Sequence, residues 1–191
     1  MYRAMTLKVF EHGLDPNDRT KIAQLADATE IRFECETRPP RVILDNRDVS
    51  AKIRSREITN AVSAVSSIQE VREVMVREQR KIGKNGGIVV EGRDIGTVVF
   101  PDADLKIFMV ADLDERARRR QLELADHNMK VDFETLQNEI IRRDDLDSHR
   151  TISPLKQAND AITLDTTHTT IDEQVDFIVQ KANELINKNR N

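Results

Sequence analysis

Directly after a short apolar run at residues 88–90 stand Glu91, Gly92, Arg93 and Asp94, a glycine that lets the backbone turn followed by a cation and an anion. In an open α/β sheet ligands bind beyond the carboxyl ends of the strands, so such a loop is the first place to expect chemistry. A plainer alternative is that Gly92 and Gly96 only permit the turn while Arg93 and Asp94 pair with each other. Arg116, Arg119 and Arg120 fall at i, i+3 and i+4, so a helix there gathers their guanidinium groups on one face. That arrangement is repulsive unless an anion, or Glu115 and Glu123, neutralises it. A phosphate clamp and a solvated charged face both fit the pattern. Arg143, Asp147 and Arg150 recur at i, i+4 and i+7. They form either an intrahelical ion-pair ladder worth about 0.3 kcal/mol per pair, or a mixed site in which arginines hold a phosphate and the carboxylate holds a hydroxyl.

Composition narrows the classes. At about 150 residues per domain, the 191 residues allow one domain, or one domain carrying a smaller insert. The formal net charge of -4 argues against a protein that coats nucleic acid, whose phosphates demand a basic surplus. No apolar run reaches the ~20 residues of a membrane span, and no signal-peptide stretch opens the chain, so a soluble, cytoplasmic protein without a membrane partner is expected. The chain has 20 Arg and 10 Lys, and arginine's planar fork suits bidentate contacts with phosphate or carboxylate; codon bias is the competing explanation. The single cysteine, Cys35, excludes an internal disulfide or thiolate cluster, and its place in an alternating apolar stretch predicts a buried core thiol. His12, His127, His149 and His168 lack metal-ligand spacing and are expected on the solvated surface. No GxSxG nucleophile elbow occurs. The phosphate-cradling GxxxxGK[ST] loop is also missing, because the only Gly-Lys pair is Gly83-Lys84, with Glu78 five positions earlier and Asn85 following.

The elements that must position these groups follow from periodicity. Helices are expected from Tyr2 to Phe10 and, capped by the segment ending at Asp18, to about Ala28. Alternation at Ile31, Phe33 and Cys35 and the run from Val42 to Leu44 predict two short strands, with Asp45 to Asp48 as a turn. One helical pattern spans Ile58 to Ile82, with Ile68, Val71, Val74, Met75 and Ile82 on one stripe and the glycines after it as the stop. Residues 88–90, 105–110 and 161–164 read as parallel strands buried on both faces. Asp114 and Asp132 cap helices reaching about Asn128 and Leu146, and Thr170 with Glu173 forms a capping box opening the last helix. Strands alternating with helices predict an α/β, doubly wound parallel sheet interrupted by a small antiparallel unit.

The run EGRDIGTVVFPDADLKIF at residues 91–108 resembles the bacterial cytidylate kinase family. Further segments agree in order: Met1-Tyr2-Arg3-Ala4, residues 49–54, Asn60-Ala61-Val62-Ser63, Val71-Arg72-Glu73, residues 115–120, residues 142–150, Ile152-Ser153-Pro154-Leu155 and residues 163–167. The resemblance covers essentially the whole chain. It implies the nucleoside monophosphate kinase (P-loop) fold and transfer of the γ-phosphoryl group of ATP to CMP or dCMP, with Mg²⁺ bound alongside ATP as co-substrate. It implies a core of residues 1–24 and 68–191, a CMP-binding insert at 25–67 and a lid around 113–131. It places Ser63, Arg72 and Asp94 about the cytosine, Arg3, Arg93 and Arg150 on the substrate phosphate, and Arg143 and Asp147 on the sugar. Arg116, Arg119 and Arg120 become the lid arginines that close over ATP. No nucleic acid and no obligate protein partner are implied.

Against the family pattern, this chain lacks a first strand, the glycine-rich phosphate loop and the helix after it. The expectation is therefore an N-terminally truncated kinase, inactive alone, whose true start lies upstream. The alternatives are a non-catalytic remnant and an Arg-rich interaction domain without kinase activity.

Overall fold

The computed structural model describes residues 1–126 and 129–188; His127 and Asn128, the latter the expected end of a helix, lie outside the described residues. Two compact units divide the chain, Met1–Val89 and Val90–Asn191.

The first unit opens with α1 (Tyr2–Glu11) and α2 (Arg19–Asp27). Asp18 caps α2 by accepting from the Lys21 N–H at 3.3 Å, one of the donors a helix start leaves without an internal partner. β1 (Ile31–Glu34), β2 (Arg41–Leu44) and β3 (Arg47–Asp48) then form an antiparallel sheet in the order β1-β2-β3, with Ile31 opposite Leu44. Asp45 and Asn46 both adopt positive φ, 46° and 65°, which is what a tight hairpin turn requires and what Asp and Asn tolerate. Cys35 is exposed, not the buried thiol expected, because β1 stops at Glu34 and the inward face is already lost at Phe33, which is exposed.

The helical pattern expected as one element from Ile58 is two: α3 (Arg56–Ser66) and α4 (Gln69–Ile82). Ser67 Oγ donates to the Ala64 carbonyl at 2.7 Å and Ile68 is extended, so a local side-chain bond competes with the helix and ends it. Ile82, placed on the apolar stripe, is half exposed at the frayed end. Ala4, Met5 and Val9 of α1, Ile22 and Ala26 of α2, Leu44 of β2, Val65 of α3, and Val71 and Met75 of α4 fill one core.

In the second unit a single π turn, Ile95–Val99, leads to β4 (Ile107–Val110), α5 (Leu113–Asp126), α6 (Phe133–His149), β5 (Ile162–Asp165) and α7 (Ile171–Lys188). β4 and β5 pair in parallel, Ile107 opposite Ile162 and Val110 opposite Asp165. The α/β class is as expected, with a parallel sheet and a separate antiparallel one. The expected strand at residues 88–90 is not formed: Val89 is 100% exposed, and among the described residues β4 pairs with β5 alone. An apolar run becomes a parallel strand only where a neighbouring ladder receives its backbone groups. For the same reason β4 is not buried on both faces, and Met109 and Val110 are exposed.

α5 starts two residues sooner than a cap at Asp114 implies: the Asp112 carbonyl accepts from the Arg116 N–H at 3.0 Å, which puts Asp114 in the first turn. Asp132 does cap α6, accepting from the Thr135 N–H at 2.8 Å. α5 and α6 pack through Ala117, Leu124 and Leu136. Thr170 and Glu173 bond reciprocally at 2.7 and 3.3 Å, the capping box read from sequence.

Candidate functional site

The loop at the start of the second unit is shaped by contact. A Cβ on Gly92 would stand 2.8 Å from Ile95 Cγ1, so glycine is required there for the close approach, not only for flexibility. The Asp94 carbonyl accepts from the N–H groups of Thr97, Val98 and Val99 at 3.3, 2.9 and 3.3 Å. That convergence makes the π turn, a form found disproportionately at functional sites.

α6 supplies the other half. It runs through Ser148 to His149, so Arg143 and Asp147 share one face, and Arg150 is the residue that ends the helix. The Asp147 side chain is 5% exposed and accepts from Arg93 Nε at 3.0 Å. Arg143 Nε and Arg150 Nη1 stand 3.9 Å from the same carboxylate, and Arg150 Nη2 stands 3.9 Å from Asp94 Oδ1. Arg93 and Asp94 therefore do not simply pair with each other, and Asp147 takes its shortest bond from the loop, not along its own helix. The cluster holds three guanidinium groups against two buried carboxylates. Guanidinium groups gathered in this way suit an anion. Arg93, 40% exposed, and Arg143 present that charge to solvent, while Asp94 and Asp147 can accept from hydroxyl or amino donors.

Five of the expected substrate residues, Arg93, Asp94, Arg143, Asp147 and Arg150, thus stand together in the second unit. The other three belong to the first unit. Arg3 Nη1 donates to the Ile53 carbonyl at 3.0 Å and to Thr59 Oγ1 at 2.8 Å. Arg72 is buried, donates to the Ser66 carbonyl at 3.1 Å and lies 5.2 Å from the Tyr2 ring centre, a cation–π distance. Ser63 is half-buried on α3.

The lid arginines do not converge on one open face. Arg116 makes a bidentate pair with Asp144 of α6 at 2.5 and 2.9 Å, and that pairing raises its pKa. Arg119 bonds Glu115 at 2.7 Å and also reaches the Thr166 hydroxyl and carbonyl. Arg120 bonds Glu123 at 2.7 Å. Arg118 and then Arg119 hold the Glu115 carboxyl below the usual carboxylate range. The repulsion implied by the spacing is relieved by carboxylates: Asp144 for Arg116, Glu115 shared by Arg118 and Arg119, and Glu123 for Arg120. Glu115 and Glu123 were legible at helical spacing, whereas Asp144 and Thr166 come from other elements and carried no local signal.

His12, His149 and His168 are exposed, and His149 Nδ1 lies 2.9 Å from Asp145. Among the described residues no three His, Cys, Asp or Glu side chains stand together as a metal-binding group. Among the described residues no helix is long and apolar enough to cross a membrane.

Arginines and carboxylates gathered between a glycine loop and α6 of a parallel α/β unit suit a phosphorylated small molecule, and comparison with known proteins narrows the class to one family. The family model described as Cytidylate kinase matches residues 1–184. A cytidylate kinase of Leuconostoc mesenteroides subsp. mesenteroides is 49% identical over 189 residues, covering 99% of this chain and 83% of the relative. One from Streptococcus agalactiae serotype V is 48% identical over 187 residues, 97% of this chain and 82% of its own, and one from Pediococcus pentosaceus is 46% identical over 180 residues, 94% and 80%. The chain belongs to the cytidylate kinase family of nucleoside monophosphate kinases.

Proposed function

We propose that this chain serves transfer of the γ-phosphoryl group of ATP to CMP or dCMP, and that its residues supply chiefly the acceptor-nucleotide contacts. The observation that carries this is Asp147: a buried carboxylate bonded to Arg93, with Arg143 and Arg150 beside it and Asp94 beyond. Arg93 and Arg150 hold the acceptor phosphate, as does Arg3. Asp147 and Arg143 hold the sugar. Asp94 accepts from the exocyclic amino group of cytosine, where uracil offers a carbonyl that a carboxylate repels; Arg72 and Ser63 donate to the base. The residues 25–67 form the CMP-binding insert and 113–131 the lid, whose Arg116, Arg119 and Arg120 exchange their carboxylate partners for ATP's phosphates. Phosphoryl transfer asks mainly for positioning and charge stabilisation, so no general base is assigned. Mg²⁺ arrives with ATP as part of the donor substrate.

Because residues 1–191 contain no GxxxxGK[ST] loop, the 191-residue polypeptide made alone is expected to bind CMP but to form CDP slowly at best, since lid arginines lack a rigid strand-to-helix turn to hold the donor in line. An Arg-rich interaction domain is disfavoured by the formal net charge of -4 and by the family match across residues 1–184. The test compares the 191-residue chain with a version extended by the codons immediately upstream of Met1, measuring CMP binding by calorimetry and CDP formation from CMP and ATP. CMP binding by both and rapid CDP formation by the extended version only is the expected result. Failure of both chains to bind CMP would sink the proposal, and equal CDP formation by both would remove the dependence on a missing loop.

A further inference from the structure

We propose that Lys106 is a positioning residue for Asp94, setting the place of its carboxylate through the turn that rests on the lysine stem. This rests on the reading of Asp94 as the group that accepts from the base.

The Lys106 side chain is 8% exposed, an unusual state for a lysine. Its ammonium donates to Asp160 Oδ1 and Oδ2 at 3.0 and 2.8 Å and to the Pro101 carbonyl. Its backbone carbonyl accepts from the Ile162 N–H of β5 at 2.9 Å. Both ends of the residue are fixed, and the stem between them runs beneath Gly96. A Cβ added to Gly96 would lie 3.2 Å from Lys106 Cδ, 3.5 Å from Cγ and 3.7 Å from Cβ, so the backbone there sits on the methylenes and a methyl group would crowd Cδ.

Gly96 belongs to the π turn whose N–H groups converge on the Asp94 carbonyl. The turn is seated on Lys106 at Gly96, and the chain leaving it is tied to the same ammonium at Pro101. Movement of that seat therefore passes to Asp94 through the Thr97, Val98 and Val99 N–H groups that bond its carbonyl. An aliphatic residue could fill the space under Gly96, but only a cation also reaches Pro101 and Asp160 and so locks the stem. A recognition carboxylate must be held to about 0.5 Å to tell an amino group from a carbonyl, so a fixed seat for its turn bears on recognition.

The test measures CMP and UMP dissociation constants by calorimetry on the full chain, with melting curves beside them. Lys106→Met keeps the stem and loses the tethers; it should weaken CMP about tenfold, move UMP less than about twofold and so narrow the preference. Lys106→Arg, a cation that can reach the same acceptors, should keep the preference within about twofold. Gly96→Ala leaves the lysine's bonds intact but wedges the turn, and should narrow the preference in the same direction; it carries the test if Lys106→Met does not fold. A lowered Tm with an unchanged CMP/UMP preference in Lys106→Met and Gly96→Ala would overturn the proposal. Asp94→Asn separates the two levels. If it narrows the preference and the other two variants do not, only the positioning role falls; if it leaves the preference unchanged, the base-reading role falls and takes the positioning role with it.

Discussion

Asp147 takes its 3.0 Å bond from Arg93, 54 positions away in the chain, while Arg143 and Arg150, its helical neighbours, stand at 3.9 Å. A carboxylate in an intrahelical ladder would bond to its neighbours first. Here the helix sets two cations at the outer edge of ion-pair range of the carboxylate, and the glycine loop brings a third in direct contact.

That relationship separates two outcomes for Arg150→Ala. If Arg150 served only the ladder, the variant would lose about 0.3 kcal/mol of stability and keep its ligand affinity. As a phosphate ligand, its removal should weaken CMP binding at least about tenfold, a loss of about 1.4 kcal/mol. Calorimetry with CMP beside a melting curve distinguishes them, and unaltered CMP affinity with a lower Tm returns Arg150 to the ladder.

Asp147→Asn should split the two kinds of contact. The amide removes a negative charge from among three guanidinium groups, so inorganic phosphate should bind as well as before or more tightly. It is also a poorer acceptor for a sugar hydroxyl, so CMP should bind about tenfold more weakly. Parallel titrations with phosphate and with CMP check this. Equal weakening of both would mean that Asp147 chiefly holds the arginines in place.

How much of this could be read from the residues follows from the range of each interaction. The α6 spacing of Arg143, Asp147 and Arg150 and the Thr170 capping box are local patterns, and each appears where the periodicity put it; the turn expected over Asp45 to Asp48 shortens to Asp45–Asn46 because Arg47–Asp48 pair with β2 as β3. The break at Ser67–Ile68 was missed because a single side-chain bond decided it. The failed strand at 88–90 depended on a neighbouring ladder, which no stretch of apolar residues encodes. Asp144, Thr166 and Lys106 act across elements, so only the folded chain shows what they touch.

Lys8 and Asp45 give a prediction about pH. Lys8, nearly buried in α1, donates to the Ala28 carbonyl at 3.1 Å and pairs with Asp45 Oδ2 at 2.8 Å, joining α1 to the end of α2 and to the hairpin turn. Burial works against the charge on Asp45, but the Lys8 ammonium and the Glu30 N–H outweigh it and hold its carboxyl below the usual range. A carboxyl whose pKa is depressed on folding stabilises the fold above its unfolded value of about 4, and that contribution is lost as pH falls through the folded value. Asp45→Asn suits the test because Asn tolerates the positive φ of 46° found there and keeps an acceptor while removing the charge. The variant should be less stable by about 1 kcal/mol near neutral pH, the scale of a partly exposed pair. Melting curves for both proteins should show a Tm gap that is steady from about pH 5 to 7 and closes as the pH drops below about 4. A gap that persists unchanged into strong acid would show that the turn's geometry, not the Lys8 charge pair, accounts for the loss.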